Sequence, residues 1–353
     1  MEDLAMTDEI IYFPDIVGND ALIHRLSKDI SENRLSHAYV IEGAKGSGRH
    51  TIVKEAIAAI ECDARSDSNT HTAVPCGRCK SCEKILSGRS PDVITLGLEG
   101  ERSTIGVEAI RNLKNDIYTA PNDISVKAYI IEDADLMTPQ EQNAFLLSLE
   151  EPPSYIIFFL ICENSANLLE TVRSRAPTLR TQRSSSEELE EYLLKNDSRA
   201  AELKSTSPRE WEEVICASQG SIGNGLELLD AKKRARLLEY RSVAKSLIAM
   251  LGRSNKTAAL EAISSFGTKR NEVCRQLSFL QSALRDLLLL KKCETAPLCF
   301  FERRDDAIEL STNFTAHTLL SLYDASLVAV DDLEANANVR LTLMNMMQSA
   351  GLI

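Results

Sequence analysis

The sequence predicts an α/β fold: a parallel sheet covered by helices, then a small helical lid and an all-helical C-terminal domain. Three observations predict it. Apolar runs of strand length alternate with helix-like segments over about the first 180 residues. A glycine-rich turn joins the first of these runs to the first helical pattern. Beyond it, strand signals fade and long apolar stripes at helical spacing take over.

"AYVIEG" (38–43) is the first strand, near-continuously apolar as a parallel strand buried on both faces must be. It runs through the turn into "TIVKEAIAAIEC" (51–62), where Ile52, Ala56, Ala59 and Ile60 recur at helical spacing. "DVITLGL" (92–98), "KAYIIED" (127–133) and "YIIFFLIC" (155–162) are the further strands. The last is far too short to cross a bilayer. At "SSSEELEEYLLK" (184–195) serines that can cap a helix precede acids in its first turn. "SQGSIGNG" (218–225) falls in the lid. "RLLEYRSVAKSLIAML" (236–251) has apolar residues at 237, 238, 243, 244, 247, 248 and 251. "EVCRQLSFLQSALRDLLLL" (272–290) carries Val273, Leu277, Leu280, Leu284, Leu287 and Leu288 on one side, a bundle-core stripe. The expected division is 1–182 for the α/β domain with an insertion at 62–82, 183–232 for the lid and 233–353 for the helical domain.

A chain of 353 residues, 44% apolar, can bury two or three cores. Its net charge of −12 argues against binding a polyanion unaided. The N-terminal "MEDLAMTDEIIYF" is acidic and lacks the basic-then-apolar order of a secretory signal, so a cytoplasmic location without membrane contact is expected. Nine cysteines, with Cys162, Cys216, Cys274, Cys293 and Cys299 scattered singly, do not form a disulfide framework.

"GAKGSGRHT" (43–51) has the outline of a phosphate-binding loop with its working side chains exchanged. Gly43, Gly46 and Gly48 keep the permissive backbone whose N–H groups wrap phosphates at a helix N-terminus. The motif asks for Lys and then Ser or Thr, to reach the outer phosphates and to ligate Mg²⁺. Here Arg49 and His50 stand instead. Arg is larger and forked, and imidazole offers no oxygen to a hard cation. Thr51 has the hydroxyl, but one residue later it points about 100° away. Two readings stay open: a loop that holds phosphate or sulfate without efficient hydrolysis, and a turn that binds nothing. At the end of "KAYIIED", Glu132 and Asp133 reverse the Asp-Glu order of a metal-positioning and water-activating pair. A displacement of about 1 Å there can cost about a hundredfold in rate.

"CGRCKSC" spaces Cys76, Cys79 and Cys82 by three, with Cys62 upstream. Four thiolates close a tetrahedral zinc shell and leave no position for water, so the expected zinc is structural. A reducing compartment favours metal over disulfide. His71 is the alternative ligand should Cys62 be a buried thiol only.

With "LSHAYVIEGAKGSGRHT" (35–51) and the cysteines go "IGVEAIRNLK" (105–114), "NAFLLSLEEPPSYIIFFL" (143–160), "TVRSRAP" (171–177) and "NANVRLTLMNMM" (336–347). In this order they resemble the delta-prime family of bacterial DNA polymerase III clamp-loader subunits, members of the AAA+ group. The likeness is collinear over nearly the whole chain; only about 230–330 lacks specific motifs. It implies an AAA+ domain, a lid and an oligomerising collar. The implied role is a non-hydrolysing stator that helps load the sliding clamp on primed DNA during replication. Neither ATPase nor polymerase activity of its own is expected. The implied partners are the gamma/tau and delta subunits, with clamp and DNA met through the complex. The family's Ser-Arg-Cys motif reads Ser174-Arg175-Ala176, and Arg175 would serve a neighbour's ATP site in trans. Such fingers contribute on the order of 10³–10⁵ in rate. Without the resemblance, Arg175 reads as an ordinary surface cation. Where motor subunits carry a lid arginine, Gly220-Ser221-Ile222-Gly223 places Gly223. Where they sense the terminal phosphate, Glu163 and Asn164 follow the strand. The stretch between Cys62 and Cys76 is longer than usual for the family. The rival reading is an active ATPase motor of the gamma/tau type.

Overall fold

A computed structural model describes residues 12–66, 73–97, 105–252, 256–301 and 303–353. Residues 1–11, His71 and the end of the second expected strand lie outside them. The chain forms two compact units: one takes the chain up to Tyr192 with Gly220–Gly223, the other Leu193–Gln219 with Asn224–Ile353.

The first unit is built on five parallel strands, β1 (Ala38–Glu42), β2 (Val93–Leu96), β3 (Lys127–Ile131), β4 (Ile156–Cys162) and β5 (Thr178–Arg180). Their order across the sheet is β2-β3-β4-β1-β5. Its helices are α1 (Asp20–Ser31), α2 (Arg49–Ile60), α3 (Lys80–Leu86), α4 (Val107–Asp116), α5 (Pro139–Glu150), the single turn α6 (Glu170–Arg173) and most of α7 (Ser186–Asn196). All seven residues of β4 are buried. The two-residue period splits the strands between two cores. Tyr39, Ile41, Ala128, Ile130, Phe159 and Ile161 pack with α1 and α2 on one face. Val40, Tyr129, Ile131, Phe158 and Leu160 pack with α4 and α5 on the other. Each buried phenylalanine contributes about 1.5–3 kcal/mol. Phe159 stacks on Tyr39 at 5.8 Å, and Phe158 meets Phe145 edge-on at 5.2 Å.

Helix starts follow local rules. At α7, Ser185 Oγ accepts from Glu188 N–H while Glu188 accepts from Ser185 N–H. At α5, Thr138 and Glu141 form the same reciprocal box, with Pro139 at the first turn. Thr138→Ala is expected to cost about 1 kcal/mol, read as a lower denaturant midpoint with unchanged slope.

The second unit is helical: α8 (Ser198–Thr206), α9 (Pro208–Ser218), most of α10 (Ile222–Leu228), α11 (Ala231–Leu251), α12 (Lys256–Ser265), α13 (Arg270–Lys292), α14 (Arg304–Thr312), α15 (Ala316–Glu334) and α16 (Val339–Ser349). The stripe on α13 is core: Val273, Leu277, Leu280, Leu284 and Leu287 are fully buried. Two charges break the apolar pattern. Asp286 is buried and accepts the backbone N–H groups of Cys299, Phe300 and Phe301. Arg241, buried on α11, donates to the Phe300 carbonyl and lies over that ring at 5.3 Å. Among the described residues no helix is long and apolar enough to cross a membrane.

Candidate functional site

Ligands of open parallel sheets bind beyond the carboxyl ends of the strands, where strand order reverses. Here that place is β1, flanked by β4 and β5. The glycine-rich turn leaves β1 and enters α2, and the neighbouring strands strap it down. Gly43 N–H donates to the Cys162 carbonyl of β4. Thr181, just past β5, donates its N–H to the Glu42 carbonyl, and its hydroxyl meets Ser47 Oγ at 2.8 Å. A Cβ at Gly43 would fall 1.8 Å from Thr181 Oγ1, so only glycine fits. Gly46 and Gly48 have φ of 79° and 84°, the left-handed region the turn demands.

The side chains of this loop face partners on their own chain. His50 Nε2 lies 3.1 Å from Glu132 Oε1, and Lys45 Nζ lies 3.6 Å from Glu163 Oε1. Both pairs are well exposed, so each contributes at most about 1 kcal/mol. The first pair joins the two positions that the sequence marks for a metal's hydroxyl ligand and its carboxylate. Thr51 is exposed and Asp133, at φ 47°, opens a tight turn.

Arg49, the first residue of α2, is only 4% exposed and close enough to Cys162 to act on its thiol. Its Nη1 is buried with no acceptor among the described residues. That orphaned donor is the feature of the loop that still fits a phosphate or sulfate. Acids crowd the same spot. Burial pushes the Cys162 thiol up to about 12, the Asp135 and Glu42 carboxylates add to the rise, and Arg49 opposes it. Burial would raise Glu42 too, yet Arg180 and the Ser165 hydroxyl hold its carboxyl below the usual range. Asp135 accepts the N–H groups of Glu163 and Asn164 at 3.1 Å. A triphosphate entering here would meet Glu42, Glu132, Asp133, Asp135 and Glu163.

The 220–223 segment rests on the loop. Ser221 Oγ donates to the Gly46 carbonyl at 2.8 Å, and Gly223 N–H donates to the same oxygen at 3.2 Å. A Cβ at Gly223 would come within 3.1 Å of Gly46 Cα, tighter than backbone atoms readily allow.

Arg175 is not brought to this loop. It follows α6, half-buried, and its Nη2 pairs with Glu150 Oε1 at 3.1 Å while Nη1 donates to the Thr171 carbonyl. Tyr118, Leu147 and Glu151 complete an open groove of about 600 Å³ around it. Ser174 caps its own turn through the Thr171 carbonyl. Ala176 is fully buried, a place for a small apolar side chain.

The four cysteines do converge. The Sγ atoms of Cys62, Cys76, Cys79 and Cys82 lie within 4.8 Å of one another, so the cluster could hold a metal ion. Bonds of about 2.3 Å to a tetrahedral zinc would set the sulfurs about 3.8 Å apart. Cys62 and Cys82 are buried, and Cys62 and Cys79 accept the N–H groups of Cys76 and Cys82. Burial works against ionising Cys76, but N–H groups of Arg78 and Cys79 outweigh it and hold that thiol at about 7. The donor set fits a structural ion, held between the end of α2 and the start of α3. A 3-10 turn at Asp63–Ser66 occupies part of the expected loop between Cys62 and Cys76.

Residues 18–185 match the sequence model of the family described as DNA polymerase III, delta subunit. Over those residues the chain is similar to a subunit family of DNA polymerase III. Among relatives, DNA polymerase III subunit tau of Bacillus subtilis (strain 168) is 27% identical over 81% of this chain and 51% of its own length. DNA polymerase III subunit delta' of Yersinia pestis is 33% identical over 41% of each. The chain thus spans about half or less of the length of these relatives. A gamma subunit-related protein of DNA polymerase III from Thermotoga maritima aligns over 94% of this chain and 98% of its own, with 18% identity and a TM-score of 0.45.

The sequence singled out the loop, the acidic pair, Glu163, Gly223, Arg175 and the cysteines. It missed Lys45, Glu42, Thr181 and Glu150. An acid ending a strand beside a glycine-rich turn is a signal that could have found Glu42. Nothing local marks the others, whose partners lie far along the chain.

Proposed function

We propose that this chain is a delta-prime-type stator of a clamp loader: it hydrolyses no nucleotide itself and presents Arg175 to the ATP site of an adjoining subunit. The observation that carries this reading is the pairing of His50 with Glu132: an imidazole stands where a nucleotide's metal would need a hydroxyl, and it faces the carboxylate at the other metal position. The crowding of carboxylates at the strand ends and the seat of Gly223 on Gly46 support it. The cysteine cluster is proposed to hold structural zinc. Residues 183–232 would act as a lid and 233–353 as the collar that meets gamma/tau and delta. Sliding clamp and primed DNA would be reached through the complex, in the cytoplasm.

A motor subunit of the gamma/tau type is the second reading, favoured by relatives bearing the name tau at 27–29% identity. Nucleotide binding and steady-state phosphate release by the purified chain, with its metal content measured on the same sample, separate the two. The stator predicts no turnover above blank and one zinc per chain. Sustained hydrolysis, abolished by altering Arg49 or Asp133, would establish the motor.

A further inference from the structure

Glu150 and Glu151 stand at the C-terminal end of α5, where a helix favours cations. Two carboxylates at the negative end of one helix destabilise it unless something neutralises them. Arg175 does so: its Nη2 lies 3.1 Å from Glu150 Oε1. The guanidinium is thereby held sideways on its own chain, with Nη1 on the Thr171 carbonyl at 3.0 Å. A carboxylate in contact with the guanidinium cancels much of the field that would stabilise a phosphoryl group. The pair is also weak. Arg175 is 36% and Glu150 50% exposed in the side chain, at the rim of an open groove with Tyr118 and Leu147.

We propose that Glu150 is a weak latch: it biases Arg175 toward a parked position against α5 and yields it to a more highly charged phosphate group of an adjoining subunit that competes for the guanidinium. The inference rests on the trans role of Arg175 and deepens it. Glu150 is a positioning residue; it touches no reacting atom. Because an exposed pair of this kind is easily broken, the latch shifts the balance of parked and released arginine by a small factor.

The test is a double-mutant cycle in the assembled clamp loader, reading single-turnover ATP hydrolysis at the labelled neighbouring site with and without clamp and primed DNA. Glu150→Gln keeps the shape and removes the charge. It is expected to raise the unstimulated rate about twofold to fivefold and to narrow the stimulation by clamp and DNA. In an Arg175→Ala background the same substitution should change nothing. An unaltered basal rate in Glu150→Gln, with Arg175→Ala still lowering the stimulated rate, overturns the latch and leaves the finger standing. A rise of equal size in both backgrounds also overturns it, since the effect would not pass through Arg175. No effect of Arg175→Ala, with assembly intact by size exclusion, defeats the trans role itself.

Discussion

Replacing Cys82 with serine is expected to strip the proposed zinc from the cysteine cluster and lower the unfolding temperature of the N-terminal unit by about 8–16 °C. Loss of a structural metal belongs to the few single changes that cost about 4 kcal/mol or more. Cys82 is fully buried and its neighbours Cys62, Cys76 and Cys79 lie within ligand reach. A serine hydroxyl is a poor ligand for zinc beside three thiolates, and three ligands cannot close the shell. The cluster joins the end of α2 to the start of α3, and α2 also carries the glycine-rich loop at its other end. Calorimetry and metal analysis of the variant read the effect, and a chelator acting on the unmodified protein should reproduce it. Cys293→Ser, exposed and outside the cluster, is the control that should change neither. Full metal content with an unshifted unfolding temperature would show that Cys82 is not a ligand.

Arg175→Ala should act in the opposite manner, sparing the fold and damaging the complex. Its pair with Glu150 is exposed, so stability should move by no more than about 0.5 kcal/mol. At the ATP site it is proposed to serve, loss of the guanidinium should slow hydrolysis by on the order of 10³-fold or more. In a ring with other intact sites, the bulk rate falls only by that site's share. Single-turnover measurements with the neighbouring site labelled therefore read the effect better than bulk phosphate release. Arg175→Lys should recover a small part, because ammonium keeps the charge and loses the planar fork. An unchanged rate at that site, with the ring assembled, would remove Arg175 from the mechanism.

The sheet was legible where burial is continuous. "YIIFFLIC" becomes β4, every residue of it buried, because a central parallel strand must be apolar on both faces. β5 was not legible: it has three residues, and only Leu179 is buried. Its evidence is its pairing with β1, which no local pattern records. At the site, the cysteines were readable because ligand spacing is chemistry written along the chain. The burial of Arg49 was not, since tertiary packing decides where that side chain goes. Lys45 with Glu163 and Glu150 with Arg175 join distant segments, and single charges in a sequence carry no sign of their partners. Asp286 and Arg241 warn in the same way: a charge on an apolar stripe can be a buried brace for a backbone turn.

The hydroxyls of Thr181 and Ser47, locked together above the floor of Gly43, carry a consequence for timing. A cradle fastened to the strands on either side gives up less freedom when a guest arrives than a loose one would. Within the proposed role, filling it would then alter this subunit little. Such a part keeps no clock. It offers its companions an unvarying reference, and every beat of the cycle has to be counted by them.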